Sequence, residues 1–402
     1  MDNCLLFLNA RATIDEQHAI LLAANSINFK VIYLNNKLPE SLKDYVEIHY
    51  KREDDLINQA LEIAKNYNIK GVFSFNDTDV ESAAIISSKL NIPGVDPEKI
   101  ILARNKYLMR DEIAKHDNTL VPKYYLINEN QDIPDINFPA VIKPISSAGS
   151  KGIFIVNNRD ELLNAYQNLK DISKNDVTFT KYGKSYILEE YIEGQEFSVE
   201  GVVVNNKLHI AGITDKQTTD PWCLEYRQIF PANYENTQQI KDFAIKIVKV
   251  LRLNNCPIHL EAKMHNNSLK LVEIAARTGG DCISTHLISN SLGINWVATI
   301  LDSIVNQKEP NLAKNYLYIS GIEFKLANKE YRFNGFNYKE SFNQIPGILM
   351  SKELVKRGSL IKLPPKNFTL QKLGFVMTYA KDFENTAKNL NQAIENISIN
   401  YE

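Results

Sequence analysis

Two glutamates set symmetrically about a turn are the residues of this 402-residue chain that most need a chemical explanation. His259-Leu260-Glu261-Ala262-Lys263-Met264 and Leu269-Lys270-Leu271-Val272-Glu273-Ile274 flank Asn266-Asn267. Both runs alternate polar and apolar residues, the period of a β-strand. A hairpin loop of odd length centred on Asn267 places Glu261 opposite Glu273 on one face. Like charges there repel unless something neutralises them. A hard cation shared with phosphate oxygens is the usual solution, which points to Mg²⁺, or Mn²⁺ in its place. The metal-free alternative is neutralisation by Lys263 or Arg277. Arg277-Thr278-Gly279-Gly280-Asp281 follows at once. An arginine beside paired carboxylates can clamp a transferring phosphoryl group or an acyl phosphate. The glycines, opening a helix after Asp281, would add backbone N–H donors. A Gly-Gly turn with a structural Arg–Glu pair is the plainer alternative.

Two further segments suit a nucleotide. Val141-Ile142-Lys143-Pro144 reads as a strand ending on a lysine, followed by Ser146-Ser147-Ala148-Gly149-Ser150-Lys151-Gly152. Small residues let backbone N–H groups approach a polyphosphate, and the lysine adds a fixed cation. The spacing is not that of a G-x-x-x-x-G-K-[ST] P-loop. With no large apolar anchor, this loop is expected to be mobile without ATP. In Leu188-Glu189-Glu190-Tyr191-Ile192-Glu193-Gly194-Gln195-Glu196, two extended runs meet at Glu193-Gly194. Main chain plus one carboxylate can read an adenine amino group, and a second carboxylate can accept from ribose hydroxyls. An acidic hairpin facing solvent is the alternative.

The elements that must position these residues fall into three groups. Cys4–Leu8, Val31–Leu34 and Val72–Phe75 are expected strands. A helix carries Leu56, Ala60, Ile63 and Tyr67, and a second carries Val80, Ala84 and Ile86, capped within Asp77-Thr78-Asp79. Alternating strands and helices imply a doubly wound parallel sheet. No G-x-G-x-x-G follows the first strand, so dinucleotide binding is not indicated. The middle region, with strands at Pro139–Lys143, Ile153–Val156, Tyr186–Ile192, Phe197–Val204, Leu208–Ile213, Ile258–Met264 and Leu269–Ala275, reads as antiparallel α+β. A helix from Ile240 to Leu251 interrupts it. The last segment pairs strands Ile322–Leu326 and Phe375–Tyr379 with a helix bearing Phe383, Ala387, Leu390, Ile394 and Ile397.

Composition narrows the function classes. At 402 residues the chain needs more than one core, and 44% apolar residues can supply them. A net charge of −2 offers no global field for nucleic acid. Cys4, Cys223, Cys256 and Cys282 form no C-x-x-C pair, which argues against metal clusters and disulfides and for a reducing compartment. No apolar run reaches the roughly 18 residues of a membrane span. A cytoplasmic protein with small-molecule substrates is expected; a homodimer stays open.

In this order, Lys106, Lys143 and its loop, Glu189 to Glu196, Glu261, Glu273 and Arg277 resemble the ATP-grasp superfamily along most of the chain. The resemblance implies an N-terminal pre-ATP-grasp α/β domain over 1–97, ending near Leu90-Asn91-Ile92-Pro93-Gly94. An ATP-grasp domain of two α+β subdomains would cover 98–312, and a small C-terminal α+β domain 313–402. It implies ATP contacts from Lys106 and Lys143, and a phosphate lid with Ser147, Gly149, Ser150 and Gly152. Glu189, Glu190 and Ile192 would form the adenine hinge, Glu196 would take the ribose, and Glu261 and Glu273 would be Mg²⁺ ligands. Glu273-x-x-x-Arg277-x-Gly279-Gly280 is similar to the L-amino-acid (dipeptide) ligase branch, as are Ile213–Gln217, Leu224-Glu225 and Phe230-Pro231-Ala232. That branch often has a histidine where this chain has Gln228, and many superfamily members have Asn where it has Ala275. The implied activity joins a carboxylate to an amine through an acyl phosphate. Lys143 and Arg277 would be catalytic; Glu225, Arg277, Gly280 and Asp281 would bind substrate. A biotin-carboxylase-like enzyme and a nucleotide-binding module without turnover are the rivals.

Overall fold

The computed structural model describes residues 3–128, 131–175, 185–313, 315–367 and 370–402. The N-terminal segment contains β1 (Asn3–Phe7), α1 (Ile14–Ser26), β2 (Lys30–Leu34), β3 (Ile48–Tyr50), α2 (Leu56–Ala64), β4 (Asn68–Phe73) and α3 (Val80–Lys89). The strands pair in parallel in the order β3-β2-β1-β4. Period-two alternation sends the side chains of each strand to two different cores. Leu5, Phe7, Val31 and Tyr33 share one with Trp296, Ile300 and Ile304. Cys4, Leu6, Ile32 and Leu34 share the other with Leu56, Ala60, Ile63 and Ile86. α1 and β3 were not among the expected elements. The apolar residues of α1 surround a buried polar one, Glu16, so its stripe is broken.

The strand order reverses between β1 and β4. In an open α/β sheet, ligands bind in the crevice outside the carboxyl ends of the strands at such a reversal. The loops leaving β1 and β4 are joined there by Asn9, whose Nδ2 donates to Ser74 Oγ (2.8 Å), Asn76 Oδ1 (2.9 Å) and Asp79 Oδ2 (2.8 Å). The expected cap at Asp77-Thr78-Asp79 is corrected. Asp79 occupies the cap position of α3 without a side-chain cap bond. Its carboxylate instead pairs with Arg52, and that of Asp77 pairs with Arg104 and Arg277.

Next come α4 (Lys106–His116), β5 (Tyr124–Asn128), β6 (Ala140–Pro144), β7 (Phe154–Val156), α5 (Arg159–Asn175) and β8 (Ser185–Glu190). β5-β8-β6-β7 form an antiparallel sheet. The larger sheet uses β9 (Gln195–Val204), β10 (Lys207–Thr218), β11 (Glu225–Phe230), β12 (Cys256–His265) and β13 (Ser268–Ala275), with α6 (Thr237–Leu251) packed on it. α6 buries Ile240, Phe243, Ala244, Ile247 and Leu251. It stops at Arg252, whose left-handed φ of 53° closes the last turn. α7 (Ile288–Leu292) and α8 (Trp296–Asn306) follow.

The remaining elements are β14 (Ile319–Leu326), β15 (Arg332–Tyr338), β16 (Ile348–Glu353), β17 (Ser359–Leu360), β18 (Lys372–Ala380), α9 (Phe383–Glu395) and β19 (Ile397–Tyr401). β14, β18 and β16 continue the larger sheet, giving the order β13-β12-β9-β10-β11-β14-β18-β16. The backbone ladder therefore runs without a break from the β12–β13 hairpin to the C-terminal strands. Ile397, expected on the last helix, instead opens β19; helix and strand share one apolar register there, and pairing with Tyr338 decides the matter.

Candidate functional site

A single cavity of about 970 Å³ is walled by the loops leaving β1 and β4, the β6–β7 loop, the end of β8, the β12–β13 hairpin and the C-terminal strands. Glu261 and Glu273 meet in it as register partners, but by a different route from the odd-numbered loop. Asn266 and Asn267 form a two-residue turn with φ of 47° and 62°, and His265 pairs with Ser268. Uninterrupted pairing from that turn would oppose Glu261 to Val272. A β-bulge at Val272 slips the register by one and brings Glu273 opposite Glu261. The carbonyl of Val272 is held by Arg110 Nη2 at 2.8 Å.

The charge between the two glutamates is not balanced by Lys263 or Arg277, the residues that the spacing suggested. Lys263 lies 3.6 Å from Glu196, and Arg277 pairs with Asp77. Lys106 Nζ instead donates to Glu273 Oε1 at 3.0 Å and to Ser147 O at 2.8 Å. Glu261 Oε1 accepts from Lys216 Nζ (2.6 Å) and His259 Nε2 (3.0 Å). Burial alone would raise the Glu261 carboxyl; Lys216 and His259 overcome this and hold it well below the usual range. Burial would likewise lower His259, but Glu200, 2.6 Å from Nδ1, and Glu261 raise it to about 9. Gly279 is dictated by this pair: a Cβ there would lie 2.8 Å from Glu200 Oε2 and 3.0 Å from His259 Nδ1.

The donors fit a hard divalent cation. Glu261 and Glu273 each keep Oε2 free of protein hydrogen bonds among the described residues, and both line the cavity. Oxygens of Glu196, Glu225 and Glu261 also lie within 4.8 Å of one another. Lys216 sits among that trio, 2.6 Å from both Glu225 and Glu261, so an ammonium already balances part of their charge.

Glu189 lines the cavity beside the expected hinge residues, and its side chain makes two ion pairs. Its Oε1 accepts from Arg110 Nε (2.7 Å) and its Oε2 from Lys143 Nζ (2.6 Å), and it is 2% exposed. Burial would raise it, but the two cations hold it at about 2. It is the counter-ion that positions Lys143. Glu190, Tyr191 and Ile192 line the cavity with main chain available. Glu196 lines it too; burial raises its carboxyl to about 7 against the pull of Lys216.

The loop after β6 is narrower in its freedom than its small residues imply. Ser146 Oγ accepts from Arg104 Nη2 (3.2 Å), Lys106 holds Ser147 O, and Ser150 Oγ donates to Cys223 O (2.7 Å). Gly149, with φ of 67°, has open space where a Cβ would stand. Hydrogen exchange at residues 148–151 is therefore expected to slow on addition of ATP. Equal protection with and without the nucleotide would remove the closing lid.

Arg277 Nε and Nη2 grip Asp77 at 2.7 and 2.6 Å, and Nη1 donates to Thr278 O. Burial would lower this guanidinium, and Asp77 raises it. It still lines the cavity with N–H donors to spare. Asp281 does not cap the short helical segment that follows, Ile283–Leu287. It has φ of 52°, the cap position belongs to Cys282, and Asp281 Oδ2 accepts from Lys372 Nζ (2.6 Å) and Gln228 Nε2 (3.1 Å). Gln228 also donates to Glu225 Oε2 at 2.9 Å, tying the two acids together. The sequence reading gives no site role to Lys216, His259, Glu200, Arg110 or Arg11, and places Asp77 only in a helix cap. Period-two alternation with the known glutamates marks His259 and Glu200, but nothing local marks Asp77 or Arg11.

Comparison with known proteins bears on the domain and the fold. Residues 136–286 match the family model of the ATP-grasp domain. The chain is 22% identical over 286 residues to dapdiamide A synthase of Enterobacter agglomerans, covering 69% of this chain and 65% of that protein. It is 23% identical over 329 residues to alanine–anticapsin ligase of Bacillus subtilis (strain 168), covering 77% and 69%. The crystal structure of L-amino acid ligase from Bacillus licheniformis superposes with a TM-score of 0.84 at 19% identity, over 100% of this chain and 99% of that one. Residues 136–286 are thus an ATP-grasp domain, in a chain that shares its fold with the L-amino acid ligase structure.

Proposed function

We propose that the protein is an ADP-forming ligase that activates the carboxylate of an amino acid with ATP and joins it to an amine. The observation that carries this reading is the meeting, in one cavity, of the Glu261–Glu273 pair with Lys106, Lys143 and Arg277. Lys106 and Lys143 keep N–H donors beyond those given to Glu273, Ser147 and Glu189, and these hold the phosphates. Main chain at Glu190–Ile192 receives the adenine, and Glu196 the ribose. Glu261 and Glu273 would hold Mg²⁺, which when bound neutralises phosphate charge. A carboxylate oxygen attacks the γ-phosphorus, the bond to the β-phosphate oxygen breaks, and ADP leaves. Arg277, fixed by Asp77, spreads the charge on the transferring group. The amine nitrogen then attacks the acyl carbon and phosphate departs. Glu225 receives the α-ammonium of the carboxylate substrate. Asp281 Oδ1, free of protein partners among the described residues, accepts from the second amine.

The names of the two relatives, a synthase and an alanine-joining ligase, support an amino-acid substrate. ADP formation with Mg²⁺ across amino acids, singly and in pairs, is the test. Release that requires a particular amino acid or pair is expected. Release driven by bicarbonate would favour a carboxylase, and binding of ATP without any dependent release would favour a nucleotide-binding module.

A further inference from the structure

Strands β9 and β12 bring four polar residues together on one face of the sheet. Ser198 and Glu200 are two residues apart on β9, and His259 and Glu261 are two apart on β12, so each pair shares a face. The antiparallel register sets His259 opposite Glu200 and Glu261 opposite Ser198. The imidazole stands between two carboxylates, with Nδ1 2.6 Å from Glu200 Oε1 and Nε2 3.0 Å from Glu261 Oε1. An ionised carboxylate only accepts, so the ring donates from both nitrogens. Ser198 Oγ donates to the same Glu200 oxygen at 2.8 Å. Ser198, Glu200 and His259 are all buried. Gly279 closes over them, leaving no room for a Cβ beside Glu200 Oε2 or His259 Nδ1. The ring is thus held at both nitrogens and packed from above.

The reaction set out above gives the imidazole no step. Its effect falls on Glu261. Oε1 of that carboxylate takes His259 Nε2 and Lys216 Nζ, the latter at 2.6 Å, while Oε2 has no protein hydrogen bond among the described residues. Glu261 therefore offers the cavity one oxygen in one direction. The charge of the ring is balanced by Glu200, so the pair gives Glu261 a hydrogen bond and little net field.

We propose that His259, held by Glu200, is a positioning residue that fixes Glu261 as a ligand through Oε2 alone, and that this favours Mg²⁺ over Ca²⁺ at the site. This rests on the metal reading of Glu261 given above. Mg²⁺ demands near-ideal octahedral geometry, which a carboxylate held to one oxygen and one direction supplies. Ca²⁺ tolerates irregular geometry and accepts both oxygens of a carboxylate. Loosening Glu261 therefore costs Mg²⁺ more than Ca²⁺.

The experiment measures binding without turnover. The β,γ-methylene analogue of ATP, which cannot pass on its terminal phosphate, is titrated into the whole chain in a calorimeter, with excess Mg²⁺, with excess Ca²⁺, and with both cations chelated. The variant is Glu200→Gln/His259→Phe, which removes a buried carboxylate and its cation together and leaves neither unpaired. The gain in affinity given by Mg²⁺ should fall by about tenfold or more, the gain given by Ca²⁺ should fall by less, and the affinity without cation should match the wild type. Glu200→Gln alone, which keeps the ring, should keep part of the Mg²⁺ gain. If the double variant does not fold, Gly279→Ala takes its place with the same expected results, because its methyl group presses on both Glu200 and His259. A Mg²⁺ gain as large as in the wild type overturns the proposal. So do equal losses for the two cations, or a parallel loss of affinity without cation, either of which makes the pair purely structural. Glu261→Gln distinguishes the underlying reading: if that variant keeps the full gain from both cations, Glu261 is no ligand and the metal reading fails, whatever the Glu200–His259 pair does.

Discussion

Glu273→Gln should lower Mg²⁺-dependent ADP release by about 100-fold or more, because a neutral amide is a poor ligand for a hard cation and the charge it helps hold develops during phosphoryl transfer. The carboxylate sits at the bulge that makes it face Glu261, and its free Oε2 points to the shared cavity. The loss should be catalytic. The Glu273 side chain is 21% exposed, but its partner Lys106 is buried, so some stability is lost too, and the rates are compared at a temperature where thermal unfolding shows both proteins folded. Glu273→Asp should recover part of the rate at raised Mg²⁺. A Gln variant that releases ADP at near the wild-type rate would remove Glu273 from the metal site and with it the assignment of the hairpin.

Glu189→Gln should do the reverse, with the larger effect on stability. Arg110 is fully buried and Lys143 nearly so, and both depend on this one carboxylate. Removing one member of a buried ion pair costs about 3–5 kcal/mol, because the remaining charges stay in a poor solvent without compensation. An exposed pair such as Glu62–Lys65 is worth about 0–1 kcal/mol, so neutralising Glu62 provides the control. The effect has a pH signature. Folding lowers the Glu189 carboxyl from 4.5 to about 2, so its contribution is complete above pH 4.5 and fades as pH falls through 2. The gap in unfolding midpoint between wild type and Glu189→Gln should therefore be widest near neutrality and shrink in acid. A gap that is absent at neutral pH, or constant down to pH 2, would show that Glu189 is not the counter-ion of Arg110 and Lys143.

Much of the framework was legible in one dimension because it depends on local periodicity. β1, β2 and β4, α6 and α9, and the β12–β13 hairpin stand where alternation or a 3.6-residue stripe placed them, within a few residues at their ends. β11 went unseen as a strand because Glu225-Tyr226-Arg227-Gln228 is polar; it is held between β10 and β14 by backbone pairing instead of by apolar alternation. The Glu261–Glu273 pairing was foreseen through the wrong turn. A bulge leaves little local mark, and the slip at Val272 is visible only against the partner strand.

The sequence by itself determined the types of residue that meet in the cavity: two facing carboxylates, lysines, and a loop of small residues. Those follow from side-chain chemistry and from spacing within single hairpins and loops. Tertiary structure alone decided how their charges are balanced. Glu189 serves Arg110, 79 residues before it, Arg277 is fixed by Asp77 at a separation of 200, and Arg11 reaches Thr278 across 267 residues. Ion pairing in a buried site depends on distance in space and on exclusion of water, neither of which is written along the chain. The reversal of strand order between β1 and β4 brings Arg11 and Asp77 to the same crevice, and only the assembled sheet places that crevice over the hairpin.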